Sequence, residues 1–353
     1  MNKEAFLEII SKGRTYKVTD IHLSIDEFPI FRIDDKLYRF DKCSIIRKDD
    51  INVLVSEILT DEEKERLKRD KEIDISFKDL EGNCRINIFY ERGELSLSIR
   101  IVKKDPPTLE ALNLSVKIND FFDETQGLII VCGKTGCGKT STIAAMINKY
   151  NNEKVYNILT LENPIEYVFK NDQSIIRQRE IGKDVRSYVE GMKAALRQNV
   201  DIVMVGDLID KKSVELALTL AETGHLVLTT LHSNSVVDAV DKIIGMFEEQ
   251  DREYIQRLVA SNLLGVIHQE FITGIDEENK PIKLPVCEIM YTNSGIQGNI
   301  KNGKVSQISS FLDVSGRKGV LNKQESIKEL YRAKKLTTEQ FEKEIKNLRK
   351  NLM

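Results

Sequence analysis

Residues 127–140 read GLIIVCGKTGCGKT, and residues 141–147 continue as STIAAMI. A short apolar run leads into G-x-x-x-x-G-K-[ST] and then into a pattern of helical spacing, so this stretch predicts a strand, a glycine loop and a helix. Glycines in such a loop let backbone N–H groups turn inward around phosphate oxygens, and the helix behind adds unpaired amides and the positive end of its dipole. Gly133, Lys134, Thr135, Gly136, Cys137, Gly138, Lys139, Thr140 and Ser141 are therefore the candidate ATP-binding residues. Lys139 is placed to reach the β- and γ-phosphates and Thr140 to ligate Mg²⁺.

Outward from this loop the chain alternates strands and helices from Leu109 onward, which predicts an α/β fold with an open, mostly parallel sheet. Beyond about residue 250 the reading is mostly helical, ending in a Lys/Glu-rich segment opened by a capping box at Thr337 and Gln340. Toward the N-terminus the pattern is mixed α+β. Asp20–Ser24, Pro29–Ile33, Asp74–Phe77, Cys84–Phe89 and Leu95–Arg100 read as strands, with a hairpin turn at Arg92-Gly93 and a capping box at Thr60 and Glu63. Lys103-Lys-Asp-Pro-Pro107 interrupts every regular pattern, because consecutive prolines remove donors and fix an extended backbone. The expected division is an N-terminal domain over 1–102, a linker over 103–112 and an ATPase domain over 113–353.

The chain has 353 residues, enough for two cores, with net charge −3 and 31% charged residues, so a direct nucleic-acid partner is not expected. No apolar run has membrane-spanning length and the start lacks a signal-peptide core, which predicts a cytoplasmic protein. Five scattered cysteines, without a C-x-x-C pair, predict neither zinc nor a disulfide framework.

Further segments add chemistry to the loop. Asn157–Glu162 (NILTLE) is an apolar strand ending in a carboxylate, and such an end lies beside the phosphate crevice of these folds, where Glu162 would polarise the attacking water. Asp201–Asp207 (DIVMVGD) ends a second buried strand in an acid, the form of a Walker B element, and Asp207 would hold Mg²⁺ directly or through water. His225 and His232 bracket a third strand, where a neutral imidazole facing the γ-phosphate would act as a sensor of hydrolysis.

In order and spacing, DIHLS at Asp20–Ser24, the glycine-loop segment, LTLENPIEY, AALRQ at Ala194–Gln198, the Walker B strand and AETGHLVLTTLHSNS resemble the secretion ATPase superfamily of type II secretion, type IV pilus and related machines. The resemblance covers nearly the whole chain. It implies a PAS-like N-terminal domain followed by a RecA-like P-loop ATPase domain, with Glu162 at the catalytic glutamate and His225 to His232 as the His box. It also implies a homohexamer in which Arg85 and Arg100 reach the nucleotide of a neighbouring subunit, with Arg197 contributed from the core. The implied partners are the pilus machinery and its inner-membrane platform protein, which would place a cytoplasmic protein peripherally at the inner face of the membrane.

Length and the missing cysteine motif are similar to the pilus-retraction branch. Several positions depart from the family pattern: Asn163 for an aspartate, Asp207 for a glutamate, Ile209 and Lys193 for arginines, and Ser294–Lys301 for the retraction branch's motif. Three expectations follow. The first is a hexameric motor driving pilus retraction; the alternatives are a weakly hydrolytic regulatory paralogue or an assembly-type ATPase.

Overall fold

A computed structural model describes residues 2–33, 36–79, 82–102, 105–312 and 320–351. The chain separates into one unit of Met1–Asp105 with Pro164–Val168 and a second of Pro106–Asn163 with Phe169–Met353. The division falls within the proline-containing break, whose first residues, Lys103 and Lys104, lie outside the described residues.

In the first unit, strands β1 (Asp20–Leu23), β2 (Ile30–Ile33), β3 (Lys36–Arg39), β4 (Glu72–Lys78), β5 (Asn83–Glu91) and β6 (Glu94–Ile101) form an antiparallel sheet in the order β3-β2-β1-β6-β5-β4. Strict alternation decides its faces. Cys84, Ile86 and Ile88 on β5 and Leu97 and Ile99 on β6 pack against α1 (Lys3–Thr15), α2 (Lys48–Ile58) and α3 (Asp61–Asp70), while Arg85, Asn87, Ser98 and Arg100 occupy the opposite face. Arg92 and Gly93 both take positive φ (53° and 85°), the turn geometry that matches strand twist in a tight hairpin. The box at the start of α3 is closed in both directions: the Thr60 side chain accepts from the Glu63 N–H and the Glu63 carboxylate accepts from the Thr60 N–H.

The second unit has a seven-stranded sheet in the order β13-β12-β7-β11-β10-β8-β9. Its strands are β7 (Gly127–Cys132), β8 (Asn157–Glu162), β9 (Ile175–Glu180), β10 (Ile202–Val205), β11 (Leu226–Leu231), β12 (Leu263–Ile275) and β13 (Pro281–Tyr291). All pairs are parallel except β12 with β13. Both faces are covered, so β7, β10 and β11 are buried at every position. Leu128 and Ile130 face the core beneath α5 (Tyr188–Ala195), α6 (Lys211–Glu222), α7 (Val236–Gly245) and α8 (Glu249–Asn262), and Ile129 and Val131 face that of α4 (Lys139–Glu153).

Helix α7 illustrates how the sequence specifies this packing. Ser235 caps it by accepting from the Asp238 N–H, and Val236, Ala239, Val240, Ile243 and Ile244 recur at helical spacing and are all buried. Each of the larger side chains contributes roughly 1.5–3 kcal/mol by leaving water, so Val240→Asp would undo the helix's attachment.

The stretch read as helical from about residue 250 holds α8, then α9 (Ser294–Lys301), α10 (Ser309–Leu312), α11 (Lys323–Arg332) and α12 (Thr338–Asn351). Between α8 and α9 it also holds β12 and β13, which the sequence reading passed over. Leu263–Ile267 is a short apolar run that fits a buried helix or a buried strand equally, and pairing with β7, more than 130 residues earlier, decides for the strand. The box expected at Thr337 and Gln340 is formed, with both backbone N–H groups donating to the other's side chain.

Candidate nucleotide site

Parallel strands β7, β8, β10 and β11 end on one edge of the sheet, and that edge gathers the titratable groups. After β7 the backbone turns through Gly133, Gly136 and Gly138 at φ 146°, 80° and 92°, a left-handed path that side chains disfavour. Gly138 caps α4 without a side-chain acceptor, so nothing on the cap residue competes for the first-turn amides. The Lys139 side chain, 8% exposed, folds back into this loop. Its ammonium donates to the carbonyls of Gly133 (2.9 Å) and Lys134 (3.1 Å) and lies 3.4 Å from His232 Nδ1. Thr140 and Ser141 occupy the first turn of α4, half-buried, and Lys134, Thr135 and Gly136 form the exposed rim. Cys137 is buried, and burial pushes its thiol above the ordinary range, which keeps it protonated and unreactive.

Glu162 and Asp207 come from neighbouring strands. The Gly206 N–H donates to Leu161 O at 2.8 Å, so the ends of β8 and β10 are level. Glu162 is buried, and Thr160 Oγ1 (2.6 Å) and Gln178 Nε2 (3.1 Å) donate to its Oε1. Asp207 accepts from Thr230 Oγ1 (3.3 Å) and faces His232 Nε2 at 3.8 Å. Burial raises the Asp207 carboxyl above the ordinary range, and His232 and the Thr230 hydroxyl oppose that shift. Tyr188, at the start of α5, is pushed up to about 12 by burial and by the nearby Asp207 and Glu162 charges, so it remains a neutral phenol.

These groups fit Mg²⁺. The oxygens are hard donors, and a cation beside Asp207 would relieve the cost of burying its charge. Among the described residues no three His, Cys, Asp or Glu side chains form a cage.

Two residues expected at the site lie elsewhere. His225 precedes β11, and its carbonyl accepts from Gly127 N–H at the start of β7, so it sits at the opposite end of the strand from His232, on the order of 20 Å away. Its Nδ1 meets Leu220 O (3.0 Å) and Thr223 Oγ1 (3.2 Å), a structural role at the end of α6. Arg197 is also exposed at that far end, next to Gln198, whose carbonyl accepts from Asn157 at the start of β8. Helix α5 runs back along the sheet and carries it there.

Arg85 and Arg100 belong to the first unit and are direct cross-strand partners on β5 and β6. Arg85 pairs with Asp74 (3.3 Å) and Arg100 with Asp20 (2.9 Å), leaving both guanidinium groups on the exposed face. Of the positions that depart from the family pattern, Lys193 pairs with Glu190 at 3.2 Å on the outer face of α5, Ile209 and Asn163 are exposed, and Ile296 and Ile300 bury the inner face of α9.

The sequence reading missed Gln269 and Phe271 on β12, which abut Gly133 and Gly138 of the loop, and Tyr188. The signal for Gln269 was faint: it is the middle of three polar residues, His268-Gln269-Glu270, set between apolar runs.

Comparison with known proteins is consistent with this constellation. The family model of type II/IV secretion system proteins (T2SSE) matches residues 5–352. The chain is 30% identical over 315 residues to the type IV pilus retraction ATPase PilT of Pseudomonas aeruginosa, covering 89% of this chain and 90% of that protein. It is 30% identical over 278 residues to the type II secretion system protein E of the same organism, covering 75% of this chain and 53% of that one. A crystal structure of the pilus retraction motor PilT with bound ADP superposes with a TM-score of 0.85 at 31% identity, over 97% of this chain and 96% of the other.

Proposed function

This chain belongs to the type II/IV secretion system protein family and is an ATPase, and we propose that it works as a hexameric motor whose Mg²⁺-dependent ATP hydrolysis drives retraction of a type IV pilus. The observation that carries this reading is the convergence of Lys139, Glu162, Asp207 and His232 on the edge where the glycine loop meets α4. The near full-length similarity to a retraction ATPase supports the direction of work.

The residues divide the chemistry among them. Lys139 exchanges the Gly133 and Lys134 carbonyls for β- and γ-phosphate oxygens, and the amides of the loop and the start of α4 take up the remaining phosphate charge. Thr140 and Asp207, with Glu162 close by, would hold Mg²⁺, which would supply positive charge against the nucleotide phosphates. Glu162, its carboxylate fixed by Thr160 and Gln178, accepts the proton of the attacking water. His232 loses its Lys139 contact when a γ-phosphate claims the ammonium, so it reads nucleotide state. Arg85 and Arg100 of an adjacent subunit supply planar, two-pronged charge to the transition state, exchanging their Asp74 and Asp20 partners for phosphate. As a motor of this kind, the protein would act at the cytoplasmic face of the membrane on a platform protein; among the described residues no helix is long and apolar enough to cross a membrane.

The test is steady-state ATP hydrolysis with oligomeric state read by light scattering on the same sample. Hydrolysis by a hexamer that falls at least about 100-fold in Glu162→Gln, with ADP binding retained, is the expected result. Turnover unaffected by that substitution refutes the assignment. A second reading, a nucleotide-binding regulatory subunit, is favoured by the shorter acid at Asp207 and by Lys193, which is engaged with Glu190. It predicts a stable hexamer that binds ADP with little turnover.

A further inference from the structure

Gln269 is 2% exposed on β12, and its side-chain amide is engaged at both ends. Nε2 donates to the Cys137 carbonyl at 2.6 Å, and Oε1 accepts from the Thr142 hydroxyl at 2.6 Å. A carbonyl acceptor requires the nitrogen and a donating hydroxyl suits the oxygen, so the two partners fix the orientation of the amide between them. Cys137 and Thr142 flank the point where the loop becomes α4. The rest of the strand closes on the same spot. A Cβ at Gly133 would overlap the Gln269 carbonyl oxygen, and one at Gly138 would come within 2.8 Å of Gln269 Nε2 and 3.1 Å of the Phe271 ring.

In a trans peptide the C=O and the next N–H point in opposite directions. A Cys137 carbonyl drawn to β12 therefore turns the Gly138 N–H away from β12. Gly138, at φ 92°, has no side chain to lock this peptide, and an unrestrained glycine loop samples both orientations.

We propose that Gln269 is a positioning residue for the phosphate loop, capturing the Cys137 carbonyl so that the Gly138 amide is oriented for nucleotide phosphate oxygens before the nucleotide arrives. The inference rests on the reading that nucleotide occupies this loop. Preorganisation of this kind saves the cost of ordering the loop on binding, and it acts only on ligands that carry phosphate.

The experiment compares full-length Gln269→Met, which keeps length and removes both hydrogen bonds, with wild type, using ADP and adenosine as competitors of a fluorescent nucleotide. Circular dichroism and melting temperature check the fold. Gln269→Met is expected to weaken ADP about tenfold and leave adenosine within about twofold. Thr142→Val, which retains the donor to Cys137 but releases the amide's other end, is expected to weaken ADP about threefold with the same indifference to adenosine. Unchanged ADP affinity in Gln269→Met, or equal weakening of both ligands, overturns the proposal. If Gln269→Met does not fold, Thr142→Val decides on the same split. Wild-type protein that binds no ADP would instead remove the nucleotide reading itself, an outcome distinct from these.

Discussion

Lys139 Nζ lies 3.4 Å from His232 Nδ1, and the Nε2 of the same ring lies 3.8 Å from Asp207 Oδ2. An ammonium only donates, so this contact uses Nδ1 as the acceptor and leaves Nε2 on the side of the carboxylate. His232 thus bridges the phosphate-binding lysine and the candidate Mg²⁺ acid. His232→Ala is expected to lower kcat by roughly 10- to 100-fold with ADP affinity changed less than about threefold. Comparing single-turnover hydrolysis with equilibrium binding checks this, and equal losses in both would contradict a role in sensing the γ-phosphate.

Glycines of the loop are not equivalent. An alanine at Gly133 would overlap the Gln269 carbonyl and approach Cys137 Sγ to 2.6 Å, whereas Gly136 has open space around its Cβ position and only its positive φ to contend with. Gly133→Ala is expected to cost about 2 kcal/mol or more and to abolish nucleotide binding, and Gly136→Ala about 1 kcal/mol. Melting curves with and without ADP give the ranking; a Gly136 variant less stable than the Gly133 variant would be the wrong order.

His268 on β12 is buried, with Nδ1 lacking a hydrogen-bond partner, and its pKa is lowered from 6.5 to about 4. Burial is the largest cause; Lys323 and Lys134 lower it further, and Glu270 and Asp238 oppose them. The unfolded chain takes up this proton before the folded one does. The stabilisation is therefore complete above pH 6.5 and lost as pH falls toward 4, by roughly 3 kcal/mol at most. Melting temperatures of wild type and His268→Gln between pH 7.5 and 4.5 are expected to converge on acidification. Parallel curves would remove the claim.

Arg100 and Glu162 are proposed to serve one active site from two subunits. Arg100→Ala and Glu162→Gln rings should each be inactive, while rings formed by mixing the two in equal amounts should recover up to about a quarter of wild-type turnover, because that share of interfaces pairs an intact glutamate with an intact arginine. No recovery on verified subunit exchange would place the arginine outside the reaction.

Local chemistry made much of this protein legible in sequence. The spacing of Gly133, Gly138, Lys139 and Thr140, the apolar runs ending at Glu162 and Asp207, and the alternation along β5 and β6 encode structure over fewer than about twenty residues, the range within which sterics, capping and periodicity act. Tertiary structure decided the rest. The strand that His225 and His232 bracket sets the pair at opposite ends of β11, so that only His232 reaches the loop, and the direction of α5 carries Arg197 away from it. The opposite holds for Gln269, 132 residues from Cys137 and in hydrogen-bond contact with it, because β12 chose β7 as its neighbour. Which strand lies beside which depends on how two apolar faces are buried together, a condition on the whole sheet that no single segment contains.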